Sequence, residues 1–429
     1  MEDQVKKLFD FIEGSPTACH TVQRVREMLV AAGFRELYET DLWTPAPGGK
    51  YFTTRSMTSL IAFVIPKGDF HAFSVVAPHG DSPCFQIKGA PDMKVEGHYV
   101  KLNTQVYGGM VTAHWLDRPL SVAGRLILRS EGGVRTVLTD IDRDLLVIPS
   151  LAPHMDREQG TKKLDAQRET LPLLGGSEGD ILELCAKAAG VKKEDILSYD
   201  LYLYNRARGT VYGAKDEFIA APKLDDLECV YSAVTAFLQS NNRENCTVCA
   251  VFDNEETGSM SRQGADSTFL SDVLARICES VGKSEAQRQQ AIQGGLLLSA
   301  DNAHAVHPNY PDKADPTSRC YLNGGIVVKY GAGYATDGVT AGVFRRLCER
   351  AGVPVQEFYN HSSIPGGGTL GKISGSHVSI PTVDIGLPQL AMHSPYETAG
   401  REDLSHMIRA MTAFYNAVPQ WKSGDCTLQ

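Results

Sequence analysis

Six short apolar runs limit what this chain can fold into. SLIAFVIP (59–66) and FHAFSVVAP (70–78) stand near the start, and TVCAVF (247–252), GLLLSA (295–300), GIVVKY (325–330) and IPTVDIG (380–386) stand in the second half. Each is apolar at successive positions, as expected of a strand buried on both faces. Helix-like segments separate those of the second half, which predicts an α/β class: a mixed sheet flanked by helices. The texture changes from about residue 92. VEGHYVKLNTQVYGG and LSVAGRLILRS alternate polar and apolar, as half-exposed antiparallel strands do, and EGDILELCAKAAG reads as a helix among them. The expected organisation is a discontinuous catalytic domain, residues 1–91 and 209–429, with an inserted, mainly β domain at 92–208. Near the N-terminus, Ser15-Pro16 predicts a helix start, Val22, Val25 and Leu29 mark its buried face, and Gly33 closes it.

Charge and composition narrow the function. The formal net charge is −9, so no global basic field draws nucleic acid or anionic lipid. No apolar stretch reaches the ~18 residues of a membrane span. The opening MEDQVKKLFDFIEGSP lacks the basic start and apolar run of a signal peptide, so a cytoplasmic protein is expected, without nucleic-acid or membrane partners. The ten cysteines are scattered; Cys246 and Cys249 form a CxxC inside a strand-like run, which predicts buried thiols rather than a redox or zinc motif.

The ends of the buried runs carry the chemistry. VVAPHGDSP ends in His79 and Asp81, and FIAAPKLDDLEC carries Asp225 and Asp226. VFDNEETGS carries Glu255 and Glu256, LLLSADNAHAVHPNY carries Asp301, His304 and His307, and DIGLPQLAMHSPYET carries His393. In an open α/β sheet, ligands bind beyond the carboxyl ends of strands. Singly, each element has an ordinary explanation: a hydrogen-bonded histidine, an acidic N-cap, a solvated turn. Five together predict one site. Carboxylates and imidazoles without thiolate suit Zn²⁺, Mn²⁺ or Co²⁺. A pair of such ions needs a bridging carboxylate and activates a water for hydrolysis. Adjacent glutamates then make sense: one binds metal, and its neighbour stays free to take the water's proton.

The set PHGDSP, KLDDL, NEETGS, SADNAHAVHPNY and QLAMHS resembles the aspartyl aminopeptidases, cytosolic dinuclear metallopeptidases, in family order from residue 79 to residue 394. Departures are small: Gly80 where some relatives have Thr, Asp226 where many have Asn, Thr257 where Val is common. The resemblance implies two divalent metals, zinc foremost with Mn or Co as alternatives. Asp225 bridges them, His79 and Asp301 complete one position, and Glu256 and His393 complete the other. Glu255 is the implied general base, Asp81 orients His79, and a cis peptide follows Asp225. The implied substrates are small peptides with N-terminal Asp or Glu. Lys329, a lysine inside an apolar strand, becomes the implied anchor for the substrate carboxylate. SIPGGGTLGKIS lacks phosphate-loop spacing, and the resemblance makes Gly367 and Thr369 a loop bordering the substrate. His304 and His307 are expected to be a structural or interface pair. The inserted domain is the implied dimer contact, dimers build a tetrahedral dodecamer, and His154 is a candidate to reach a neighbouring subunit's site. The rival functions are another dinuclear hydrolase of this fold, such as a deacylase or broader aminopeptidase, and a non-catalytic scaffold. Glu255, a base beside the ligands, weighs against the scaffold.

Overall fold

The computed structural model describes residues 2–155, 157, 163–242, 244–364 and 366–429. Among the described residues, a nine-stranded mixed sheet forms the centre. Its order is Arg35–Glu36, Lys50–Arg55, Ser59–Val64, Cys246–Val251, Phe73–Ala77, Leu296–Ala300, Thr382–Gly386, Ile326–Tyr330 and Val355–Tyr359. The four strands from Cys246–Val251 to Thr382–Gly386 run parallel to one another. Both faces are covered, which explains the unbroken apolar runs. Val75, Ala77, Ala250 and Leu297 face one core, whereas Val76, Cys249, Val251 and Leu298 face the other. Burying a large apolar side chain contributes roughly 1.5–3 kcal/mol, so this two-sided sheet is the main source of stability. Cys246 and Cys249 are buried free thiols within it.

After a first helix at Glu2–Glu13, the helix expected near Ser15-Pro16 runs over Ala18–Ala31, with Val22, Val25 and Leu29 buried and Gly33 at φ +82° after it. It starts later than Ser15-Pro16 predicts. Lys223 Nζ donates to Ser15 O at 2.8 Å, which pins that segment in the core, and extended Thr17 takes the cap position instead.

A second, six-stranded sheet is antiparallel throughout, in the order Gly133–Asp140, Leu120–Ser130, Ile196–Asn205, Cys84–Val95, Tyr99–Tyr107 and Leu173–Gly175. It has its own core, with Phe85, Leu102, Val122, Leu126 and Leu201. Helix Ile181–Ala188 packs there, capped by Asp180, whose side chain accepts the Glu183 N–H. Strand Cys84–Val95 runs through residues 91 and 92, so the sheet begins ahead of the change in sequence texture. A third sheet orders Thr210–Tyr212, Phe218–Ala221, Glu397–Gly400, Pro388–Leu390 and Ala303–His304. No helix among the described residues is long and apolar enough to cross a membrane.

Candidate metal centre

Strand register brings the predicted residues to one edge. Cys249 pairs with Val76 and Ser299 with Ala77, all in parallel, so the segments carrying His79, Glu255 and Asp301 leave the sheet side by side. Gly386 permits the next strand's close approach, because a Cβ there would lie 2.1 Å from Asp301 O. Asp225 follows strand Phe218–Ala221, where the helix start is interrupted: Asp225 has φ −82° and ψ 109°, and Asp226 has φ −118° and ψ 22°. The Asp225–Asp226 peptide bond is cis. His393 follows strand Pro388–Leu390 and holds φ +64°, in the left-handed region.

Asp225 faces two ways. Its Oδ1 lies 3.6 Å from His79 Nε2, and its Oδ2 lies 3.4 Å from His393 Nε2. His79 Nε2 is also 3.9 Å from Asp301 Oδ1 and 4.0 Å from Glu255 Oε2. His393 Nε2 is 3.4 Å from Glu256 Oε2. Three overlapping groups able to hold a metal result among the described residues. One comprises His79, Asp225, Asp226 and Asp301, another Asp225, Glu256 and His393, and a third His79, Glu255 and Glu256. Asp226, named with Asp225 at its strand end but given no ligand role, offers an oxygen to the first group, and its Oδ2 accepts the His79 backbone N–H at 3.1 Å.

Supporting contacts fix these segments. Asp81 Oδ1 accepts the Glu255 N–H and Oδ2 the Glu256 N–H, both at 3.2 Å. Asp81 Oδ1 is 3.4 Å from His79 Nδ1, and the Asp81 carbonyl is 3.2 Å from the same nitrogen. Tyr107 donates to Asp81 Oδ2 at 2.7 Å and accepts from Asn254 Nδ2 at 3.0 Å. Gly108, at φ +77°, lets this strand end touch the site, since a Cβ there would meet Glu256 Cβ at 3.0 Å. Val111 N–H donates to His393 O at 3.0 Å. No sequence signal pointed to Tyr107, Asn254 or Glu397; their roles depend on where other segments pass.

The electrostatics call for added positive charge. Burial raises Asp226 and Glu256 well above the usual carboxylate range. Burial, with Asp301, Asp81 and Asp225 acting against the opposing pull of His79, pushes Glu255 up to about 7. Burial opposes charge on His79, but the carboxylates of Asp226, Asp225, Asp301 and Asp81 hold it well above its ordinary value. Burial likewise opposes charge on Asp225, but His393 and His79 outweigh it and hold Asp225 below its ordinary value. Asp225 Oδ1 and Glu256 Oε1 are buried without a hydrogen-bond partner among the described residues. Unpartnered buried carboxylate oxygens are costly unless a cation meets them. An all oxygen and nitrogen donor set therefore fits divalent zinc, manganese or cobalt.

The remaining predicted residues fall outside this cluster or behind it. Lys329 is buried, with Nζ donating to Asp301 O at 2.6 Å and Asn302 O at 3.1 Å, and lying 3.3 Å from Asp301 Oδ2. Thr369 is buried at the residue before helix Leu370–Val378, its hydroxyl donating to Asp384 Oδ1 rather than capping the helix. Gly367 lies in the exposed turn before it, where Gly333 approaches its carbonyl. His154 is exposed and makes no contact with the cluster among the described residues. His304 is exposed on the edge strand Ala303–His304, with its ring 6.3 Å from Phe358, and the His307 ring lies 5.0 Å from Tyr310.

Two imidazoles and a shared carboxylate, gathered from strand ends of the central and third sheets, fit a divalent-metal hydrolase. The family model described as aminopeptidase I zinc metalloprotease (M18) matches residues 11–415. A probable M18 family aminopeptidase 2 of Clostridium novyi (strain NT) is 41% identical over 433 residues, covering 97% of this chain and 100% of that protein. The protein of the same name from Pseudomonas aeruginosa (strain UCBPP-PA14) is 40% identical, covering 95% of this chain and 97% of that one. Among solved structures, the complex of Ape4 and Nbr1 matches with a TM-score of 0.93 at 32% identity, over 97% of this chain and 86% of that one. The S. cerevisiae mApe1 dodecamer matches with a TM-score of 0.86 at 27% identity, over 96% of each chain. The chain belongs to the M18 family of zinc metalloproteases, and is a metal-dependent aminopeptidase.

Proposed function

We propose that this aminopeptidase releases N-terminal Asp or Glu from small peptides at a centre of two divalent cations. The observation that carries the two-cation reading is Asp225, whose two oxygens face the imidazoles of two different groups. His79 and Asp301 hold one ion with Asp225, and Glu256 and His393 hold the other. Zinc is the expected metal, with Mn²⁺ or Co²⁺ able to replace it. When bound, the ions supply Lewis acidity to the scissile carbonyl and the attacking water.

The chain's own groups handle the proton. Glu255 lies 4.0 Å from His79 and stands with His79 and Glu256 in the third group, but it belongs to neither group that contains Asp225, and the base role falls to it. It takes a proton from the water and passes it to the leaving amine. Asp81 holds the Glu255 and Glu256 backbones so that base and ligand keep different directions. For acidic selectivity we assign Lys329, the buried cation beside Asp301, as the anchor of the substrate carboxylate. A broader-specificity aminopeptidase is the second reading, favoured by the same contacts, since Lys329 already meets two carbonyls and one carboxylate. Gly367 and Thr369 border the substrate in either case.

The assembly reading rests on the solved dodecamer of mApe1. We take the chain to form a homo-oligomer, a tetrahedral dodecamer of dimers. The insertion at 92–208 makes the dimer contact, and exposed His154 reaches a neighbouring subunit's site. The expected location is the cytoplasm. The test is a panel of peptides beginning with Asp, Glu, Leu and Ala after chelation and reloading with Zn²⁺, Mn²⁺ or Co²⁺. Turnover restored for Asp and Glu alone supports the proposal; equal turnover of Leu and Ala peptides overturns the selectivity. Full activity without transition metal overturns the centre.

A further inference from the structure

Glu397 is a buried carboxylate that the reaction does not use. It is 2% exposed, and it has no cationic partner among the described residues. It opens strand Glu397–Gly400, which lies between two others. Opposite it in register is Ala221, the last residue of the strand leading to Asp225. On its other side, Thr398 pairs with Leu390, the last residue of the strand leading to His393. Two segments bearing proposed ligands therefore leave the third sheet on either side of this one side chain.

Its two oxygens divide between them. Oε2 accepts the Asp225 N–H at 2.9 Å, and Oε1 accepts the His393 N–H at 2.8 Å. Both recipients need holding. His393 sits at φ +64°, which a β-substituted residue adopts at a cost, and Asp225 departs from the helix that surrounds it. A carboxyl group carries two oxygens, so one side chain can accept from two backbones at once. Asp81 plays the same part on the other side, for Glu255 and Glu256.

We propose that Glu397 is a positioning residue that sets the separation of Asp225 and His393, and so selectively supports the metal position they share with Glu256. This rests on the two-metal reading. The position of His79 and Asp301 draws on one clamped segment, that of Asp225 and Asp226, whereas the other position draws on both, so the clamp acts on it less. Loss of the clamp therefore lowers metal affinity unequally at the two positions.

The test is metal titration of the full-length protein by calorimetry, with Zn²⁺ and with Co²⁺, whose visible absorption reports ligand geometry. Glu397→Gln presents an amide NH₂ to one of the two N–H donors. It is expected to weaken one of two binding steps by about 10–100-fold, as loss of outer-shell support does elsewhere, and to leave the other within about threefold. The Co²⁺ spectrum of the weaker step should change while that of the stronger persists. Two steps unchanged in affinity and spectrum overturn the inference; so does equal weakening of both, the mark of a general structural role. Wild-type protein that binds no metal, or one equivalent, overturns the two-metal reading instead. Glu397→Asp, with a shorter reach but the same charge, gives a second variant should Gln prevent folding, and the same unequal loss is expected of it.

Discussion

Replacing Asp81 tests whether the site depends on a carboxylate that touches no substrate. Its two oxygens serve the Glu255 and Glu256 N–H groups at 3.2 Å each and the Tyr107 hydroxyl at 2.7 Å, with His79 Nδ1 at 3.4 Å. Asp81→Asn keeps the volume but turns one oxygen into an NH₂. Oδ1 and Oδ2 each serve one backbone N–H, so either orientation sets a donor against a donor. One hydrogen bond to a charged group is lost, a contribution of about 1.5–3 kcal/mol, or roughly 10–150-fold in an equilibrium or rate. Asp81→Ala strands three donors at a position only 3% exposed. At about 1–3 kcal/mol per unsatisfied buried group, the upper range is several kcal/mol, part of which entering water relieves. The assay is kcat/KM on an N-terminal Asp peptide at saturating Zn²⁺, with melting temperature measured in parallel. We expect Asn to lose kcat/KM by about 10–100-fold with little change in Tm, and Ala to lose both. An Asn variant within about twofold of wild type in kcat/KM would refute the reasoning, since the two backbone contacts would then set nothing that matters.

Three further outcomes are expected. Glu255→Gln should keep both metals and lose about 10²-fold or more in kcat, as for a general base, while Glu256→Gln should lose metal from one position; elemental analysis with the reverse pattern would exchange the roles. Lys329→Ala should cut turnover of Asp peptides at least tenfold more than that of Ala peptides, whereas equal loss would mean that Lys329 serves Asp301 alone. Glu228 is buried with both side-chain oxygens unpartnered, and burial, then Asp403, hold its pKa well above the ordinary 4.5. The folded state thus keeps a proton that the unfolded chain releases. The stabilisation is full below the unfolded pKa and is lost as pH rises toward the folded one, by about 1.4 kcal/mol per pH unit. Glu228→Gln lacks that slope, so its Tm should gain on wild type as pH rises above about 5; parallel Tm curves would refute this.

Much of the centre was legible because its parts are local. A strand buried on both faces leaves an unbroken apolar run, and the residues just beyond that run must lie at the sheet's edge. His79, Glu255, Glu256 and Asp301 stand within a few residues of such an end, Asp225 and His393 follow short strands of the third sheet, and the structure gathers all six. The residues that the sequence hid depend on distant segments. Glu397 reads as one more acidic residue in SPYET until register sets it between the strands that lead to Asp225 and His393. Lys329 illustrates a different gap. An apolar run containing a lysine predicts that the cation has a partner, but not whether that partner is substrate or Asp301. The helix start at Ala18 rather than Pro16 has the same origin, a contact from Lys223 more than two hundred positions away.

The second sheet belongs to the site as well as to any subunit contact. Strand Tyr99–Tyr107 ends in the hydroxyl that binds Asp81, and the turn after it lays Gly108 against Glu256. Gly109 comes next, where a Cβ would stand 3.7 Å from His393 Nδ1, and Val111 N–H holds the His393 carbonyl. Strand Ile196–Asn205 ends in Asn205, whose Nδ2 donates to Pro395 O at 2.8 Å, two residues past His393. Two strand ends of one antiparallel sheet thus brace both the Glu255–Glu256 turn and the His393 loop. Close-packed interiors transmit strain, so a change in this sheet, which has its own core, bears on Asp81, Glu256 and His393 through those contacts. Residues of the second sheet can therefore alter the candidate metal centre without approaching it, through the short segment from Tyr107 to Val111. Adding a methyl group at Gly108 is the smallest such change. Its backbone at φ +77° disfavours any side chain, and the new Cβ would press on Glu256 at 3.0 Å, so the position can accept bulk only by moving a proposed ligand.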